Sequence, residues 1–264
     1  MKIFFTPVAF AAVILSTVSL VSCTKTHNPT PVVDSLKIGL IAYYPFNYDS
    51  AVDSSGNHND GTIYNITSVP DRFGKANSAY YFNGENSYIV VKDNQALRLA
   101  NTDYTINSWV NLQEYDSSYG SVIVDKRGLG SSNGWLDGIA GYADLTNSVG
   151  AYGIITYLVS GGTDPGAIGK KVVPLNGWHM ITVSFNNQSK QISLYVDGVL
   201  DTVTDNMPTP SNSTATDMYI GTDSQDFLNG NITSYFLKGN LDDIRIYNRQ
   251  LKISDIQKLF NLTY

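Results

Sequence analysis

The stretch from Gly177 to Leu200, GWHMITVSFNNQSKQISLYVDGVL, constrains this chain more than any other. Ile181, Val183 and Phe185 alternate with Thr182 and Ser184. Beyond the Asn186–Lys190 turn, Ile192, Leu194 and Val196 alternate with Gln191, Ser193 and Tyr195. A period of two sends one row of side chains into a core and the other away from it. The segment therefore predicts two strands paired as a hairpin. Asp197-Gly198 supplies two residues tolerant of positive φ, as a tight turn into Val199 and Leu200 requires.

Similar short alternations recur between Gly, Asn, Asp and Ser turns. They span residues 40–46, 79–82, 88–91, 104–110, 121–124, 135–140, 152–159 and 218–220. Many short strands separated by turn signals predict an all-β fold, a two-sheet antiparallel β-sandwich. Only the end reads as helical, where Ser254 and Gln257 have capping-box spacing ahead of Leu259 and Phe260. With 264 residues, 42% hydrophobic and 15% charged, the chain can form one large domain without disulfide staples. A net charge of −6 with no basic stripe excludes a nucleic-acid partner as the expectation.

Cys23 is the only cysteine. Met1-Lys2 begins a short positive start, Ile3 to Leu20 is an apolar run, and Leu20-Val21-Ser22-Cys23 follows. This resembles a bacterial lipoprotein signal and its lipobox, which implies residues 1–22 as signal peptide and Cys23 as the lipidated residue. Acyl chains would hold the protein to a membrane without a spanning helix. The polar, Pro-containing residues 23–36 read as a tether, and 37–264 as the domain. The localisation expected is an outer membrane lipoprotein, at the cell surface or on the periplasmic face.

Further pieces carry a family resemblance, in order along the chain. They are Tyr44-Pro45-Phe46, Asp53-Ser54-Ser55-Gly56-Asn57, Phe73-Gly74-Lys75-Ala76, Tyr81-Phe82-Asn83-Gly84, Ser108-Trp109-Val110, Trp178-His179, Val196-Asp197-Gly198 and Gly239-Asn240-Leu241-Asp242-Asp243-Ile244-Arg245. Together they resemble the laminin-G-like, concanavalin A-like jelly roll over about residues 40–259. That resemblance implies a jelly roll with a short C-terminal helix, and a glycan or polysaccharide as ligand. Residues 128–174 match it poorly, as binding loops on a rigid scaffold do.

In that variable stretch Trp135, Tyr142, Tyr152 and Tyr157 are the candidate ligand-binding residues, since aromatic rings suit the C–H faces of sugars; for Trp135 the alternative is that it fills the core as the other tryptophans do. Trp109 and Trp178 read as sheet-packing residues. The resemblance also implies a structural Ca²⁺, for which Asp53, Asn57 and Asp242 are the candidate ligands; oxygen donors suit that ion. Asp242 shares parity with Ile244 and Ile246, so a carboxylate begins a core row; the alternative is that Asp242 accepts backbone N–H bonds from the Ser54–Asn57 turn while Asp53 makes an Asx turn.

No catalytic set is legible. Glu85 and Glu114 are the only glutamates and lie far apart, and adjacent Asp242 and Asp243 should point to opposite faces of a strand. His179 reads as a satisfied strand histidine, and three histidines with one cysteine argue against zinc. The reading is a non-catalytic glycan-binding surface lipoprotein. Its rivals are a protein-binding adhesion domain and, further off, a glycoside hydrolase of the same fold.

Overall fold

A computed structural model describes residues 1–4, 34–115, 120–128, 134–139, 154–160, 166–210, 215–224 and 235–263. Cys23, Tyr142 and Tyr152 lie outside the described residues. Met1–Val33 and Asp34–Tyr264 are separate compact units, and the second carries every strand.

The strands are β1 Leu40–Tyr44, β2 Gly61–Tyr64, β3 Thr67–Val69, β4 Ala79–Asn83, β5 Tyr88–Val91, β6 Tyr104–Leu112, β7 Ser121–Asp125 and β8 Gly134–Ile139. They continue as β9 Ile154–Ser160, β10 Gly166–Val172, β11 His179–Asn186, β12 Gln191–Val196, β13 Val199–Thr204, β14 Met218–Ile220 and β15 Lys238–Tyr247. Among the described residues they form two sheets whose pairings are all antiparallel. The first runs β13-β12-β11-β6-β15-β4-β3, with β1 added beside β15; the second runs β10-β9-β8-β7-β14-β5-β2. Among the described residues the architecture is a β-sandwich with jelly-roll topology and one short α-helix, α1 Ile253–Phe260.

The expected hairpin forms. Ile181 faces Val196, Val183 faces Leu194 and Phe185 faces Ile192, and all six belong to the core between the sheets. Asp197 (φ 53°) and Gly198 (φ 72°) both adopt the left-handed conformation that this turn demands. Asp197 also accepts from the Met180 amide at 2.8 Å and contacts His179 Nδ1 at 2.9 Å. The histidine is a paired strand residue, as its context suggests.

The centre of the first sheet, β6, β11 and β15, is buried on both faces. On β6, Tyr104, Ile106, Val110 and Leu112 point into the sandwich, whereas Trp109 points outward into a second apolar cluster. That cluster joins Trp109, Met180 and Tyr247 to Ile256 and Leu259 of α1 and to Leu36 in the short 3-10 turn Ser35–Lys37. Apolar Ile256 and Leu259, three apart, form the stripe that docks α1 on the sheet. Polar contacts clamp the same layer. Arg249 donates to the Ser35 and Ile38 carbonyls and reaches Asp255, which accepts from Ser35 Oγ at 2.8 Å. The capping box does not form; Lys252 stands at the N-cap without a side-chain cap, and the helix begins at Ile253.

Near Asp242 parity breaks, in β15. The register shifts between Asp242 and Arg245, and Asp243 has φ 50°. Such a bulge inserts one unpaired residue and reverses which side later residues face. Ile244 and Ile246 therefore enter the core, while Asp242, opposite Trp109, belongs to the outer face. This corrects the expectation that Asp242 shares a face with the two isoleucines. It also corrects the expectation that Asp242 and Asp243 diverge: one guanidinium nitrogen of Arg72 lies 2.7 Å from each of them.

Candidate binding pocket

The outer layer of the first sheet builds a concave site. After β3, Asp71 Oδ1 accepts from the Phe73 and Lys75 amides at 2.8 and 2.9 Å, folding residues 71–75 into a tight turn. That turn lays Arg72 across β6 and β15. Its guanidinium carbon sits 4.4 Å from the Trp109 ring centre and 4.5 Å from that of Phe73. On Trp109, Phe260 at the end of α1 stacks at 5.7 Å with 10° between planes.

Arg72, Phe73, Trp109, Trp178, Phe260, Asn261, Leu262 and Thr263 enclose a cavity of about 350 Å³, the lower end of small-ligand pockets. Phe73 and Phe260 are partly exposed and Trp178 is half-buried, so aromatic rings face solvent here. Trp109 is buried, and its indole nitrogen has no hydrogen-bond partner among the described residues.

Beneath the pocket lies an ion network. Asp243 accepts from Tyr43 Oη at 2.7 Å and lies 3.2 Å from Arg245 Nη2, while Arg245 sits 4.0 Å over the Tyr43 ring. Both carboxylates and both guanidiniums are almost fully buried. Burial, reinforced by the neighbouring Asp243 charge, raises the Asp242 pKa, and Arg72 opposes that rise.

Of the residues anticipated for ligand binding, the two that are described, Trp135 and Tyr157, lie elsewhere. Trp135 on β8 and Tyr157 on β9 are both fully buried in the core. Trp135 Nε1 donates to the Leu97 carbonyl at 2.9 Å, and Tyr157 Oη donates to Tyr104 Oη at 2.8 Å across the sandwich. They cannot act as an open platform, because both rings are fully buried in the core. The pocket draws instead on Trp109 and Trp178, read from sequence as sheet packing. The available signal was the parity of Trp109, opposite to that of Ile106 and Val110 inside the core.

The proposed calcium ligands do not fit a shared ion. Asp53 already accepts four donors: the Tyr43, Ser55 and Asn59 amides and Ser55 Oγ, at 2.8–3.0 Å. Those bonds fill its lone-pair sites, and they tie the 53–59 loop to β1 as an Asx turn would. Asn57 turns its amide NH₂ toward the Leu40 and Ile41 carbonyls, and Asp242 faces Arg72. Among the described residues no three His, Cys, Asp or Glu side chains form a metal-holding group.

Comparison with known proteins agrees with this fold. The Laminin_G_3 model, described as the concanavalin A-like lectin/glucanases superfamily, matches residues 83–257. Domain 4 of AbnA, an extracellular arabinanase from Geobacillus stearothermophilus solved in complex with arabinotriose, is similar at TM-score 0.63 and 20% identity, covering 84% of this chain and 98% of that one. Botulinum neurotoxin type C, whose cell entry is dependent upon interaction with two ganglioside molecules, is similar at TM-score 0.61 and 15% identity, covering 87% and 52%. The botulinum neurotoxin DC binding domain in complex with rat synaptotagmin II is similar at 0.59 and 14%, covering 86% and 52%. This chain thus spans about half the length of the toxin chains. No curated protein matches it in sequence.

Proposed function

This chain belongs to the concanavalin A-like lectin/glucanases superfamily, and from that premise we propose that it is a non-catalytic glycan-binding lipoprotein whose ligand sits in the Arg72–Trp178 pocket. The observation that carries the reading is the pocket wall itself. Phe73, Trp178 and Phe260 present rings to an open cavity, with Asn261 and Thr263 beside them. Rings that pack C–H faces and polar groups that take hydroxyls are what sugars require. The arabinotriose and ganglioside named for similar structures support a glycan.

Acids of the domain hold structure together. Asp242 and Asp243 share Arg72, Asp201 accepts the Lys170 and Lys171 amides, and Glu114 pairs with Lys238. Glu85 remains in the turn after β4. Residues 1–22 would be removed as a signal peptide, Cys23 lipidated, and 23–36 would tether the domain to the outer membrane. Single weak sites gain avidity when many anchored copies meet one polysaccharide.

A protein partner is the second reading. Val172 of β10 and Val199, Leu200 and Val203 of β13 are about half exposed on edge strands that Asp201 ties together. The synaptotagmin complex of a similar domain fits such use. A glycan array on the purified protein, repeated with Trp178→Ala, tests the first reading. Retention of glycans that the variant loses supports it. An empty array with a co-purifying protein overturns it.

A further inference from the structure

We infer that the pocket selects uncharged sugar rings and rejects uronic acids and amino sugars, an inference that rests on the glycan-binding reading. Of the eight residues that line the cavity, Arg72 alone carries a charge. That charge is already committed. Both Asp242 and Asp243 contact Arg72 Nη1 at 2.7 Å, and Arg245 balances Asp243 from behind. Asp71, the next acid along, spends its carboxylate on the Phe73 and Lys75 amides. The guanidinium is held flat between Trp109 and Phe73, with its side chain 4% exposed.

A ligand carboxylate entering this site would lose its water and find no cation free to replace it, with two aspartates behind the arginine. A ligand ammonium would meet Arg72 first. Either desolvation goes uncompensated, and a buried charge without a partner is costly. An uncharged ring avoids both penalties. Its C–H faces can lie on Phe73, Trp178 and Phe260. Asn261 and Thr263 add neutral donors and acceptors. Fixing Arg72 by stacking and two ion pairs keeps that balance from shifting when a ligand arrives.

The test uses the full chain in detergent and matched oligosaccharides of one linkage: neutral, uronic acid-containing and hexosamine-containing. Neutral oligosaccharides should bind at least about tenfold tighter than either charged set, the scale of one uncompensated polar burial. Their affinity should change by less than about twofold between roughly 0.05 and 0.5 M salt, where charge-driven binding would fall steeply. Replacing Asp242→Asn and Asp243→Asn together releases Arg72, and uronic acid oligosaccharides should then gain affinity. If that variant fails to fold, the wild-type comparison of neutral with charged oligosaccharides still decides. Charged oligosaccharides bound as tightly as neutral ones would overturn the inference and leave the glycan reading standing. No binding of any oligosaccharide would remove both.

Discussion

Asp137 offers a quantitative test of the core. It stands on β8 between Trp135 and Ile139, opposite Tyr157, and is fully buried. Neither carboxyl oxygen has a hydrogen-bond partner among the described residues. Burial lifts its pKa to about 8, offset only in part by the neighbouring Gly138 amide. The unfolded chain ionises near 3.9, so the folded state alone holds the proton between those values. The contribution is fully present below the lower value and fades as pH rises through the upper one. Each pH unit between them removes about 1.4 kcal/mol of stability, which sums to on the order of 5 kcal/mol. Asp137→Asn keeps the shape and cannot ionise. Urea unfolding of both proteins from pH 4 to 9 should show the variant gaining on wild type by roughly 1 kcal/mol per pH unit, levelling above pH 8. A difference that stays flat between pH 5 and 8 would mean that Asp137 is ionised and partnered in the folded protein, and the reasoning would fail.

Other outcomes are open to direct measurement. Arg72→Met strands two buried carboxylates and should cost roughly 3–5 kcal/mol in urea unfolding; a loss under 1 kcal/mol would show that the network is solvated. Phe73→Ala, on an exposed ring, should weaken glycan binding about tenfold in calorimetry while changing stability by less than about 1 kcal/mol. Gly134→Ala should unfold at markedly lower urea, since φ is 115° and a methyl would lie 2.1 Å from the Lys126 carbonyl oxygen. EDTA should leave the melting temperature within about 1 °C, because Asp53, Asn57 and Asp242 do not meet around one ion; a clear drop would restore the calcium reading.

The alternation at Ile181–Phe185 and Ile192–Val196, with Asp197-Gly198 after it, was enough to specify two paired strands, their inward row and the turn that follows. Period two states which residues share a face of a strand, and turn chemistry states where the chain reverses. Neither states what covers the far face. Trp109 and Trp135 look alike in sequence, yet Trp135 fills the sandwich while Trp109 meets α1, Arg72 and the pocket from outside. Asp242 changed sides because one residue, Asp243, took a left-handed conformation within β15 and shifted every later parity. Arg72 lies 170 positions from Asp242, a pairing that no local pattern encodes. Strand identity was local and therefore readable; the pocket arises where distant turns, a bulge and the terminal helix converge, and only the assembled layers decide that.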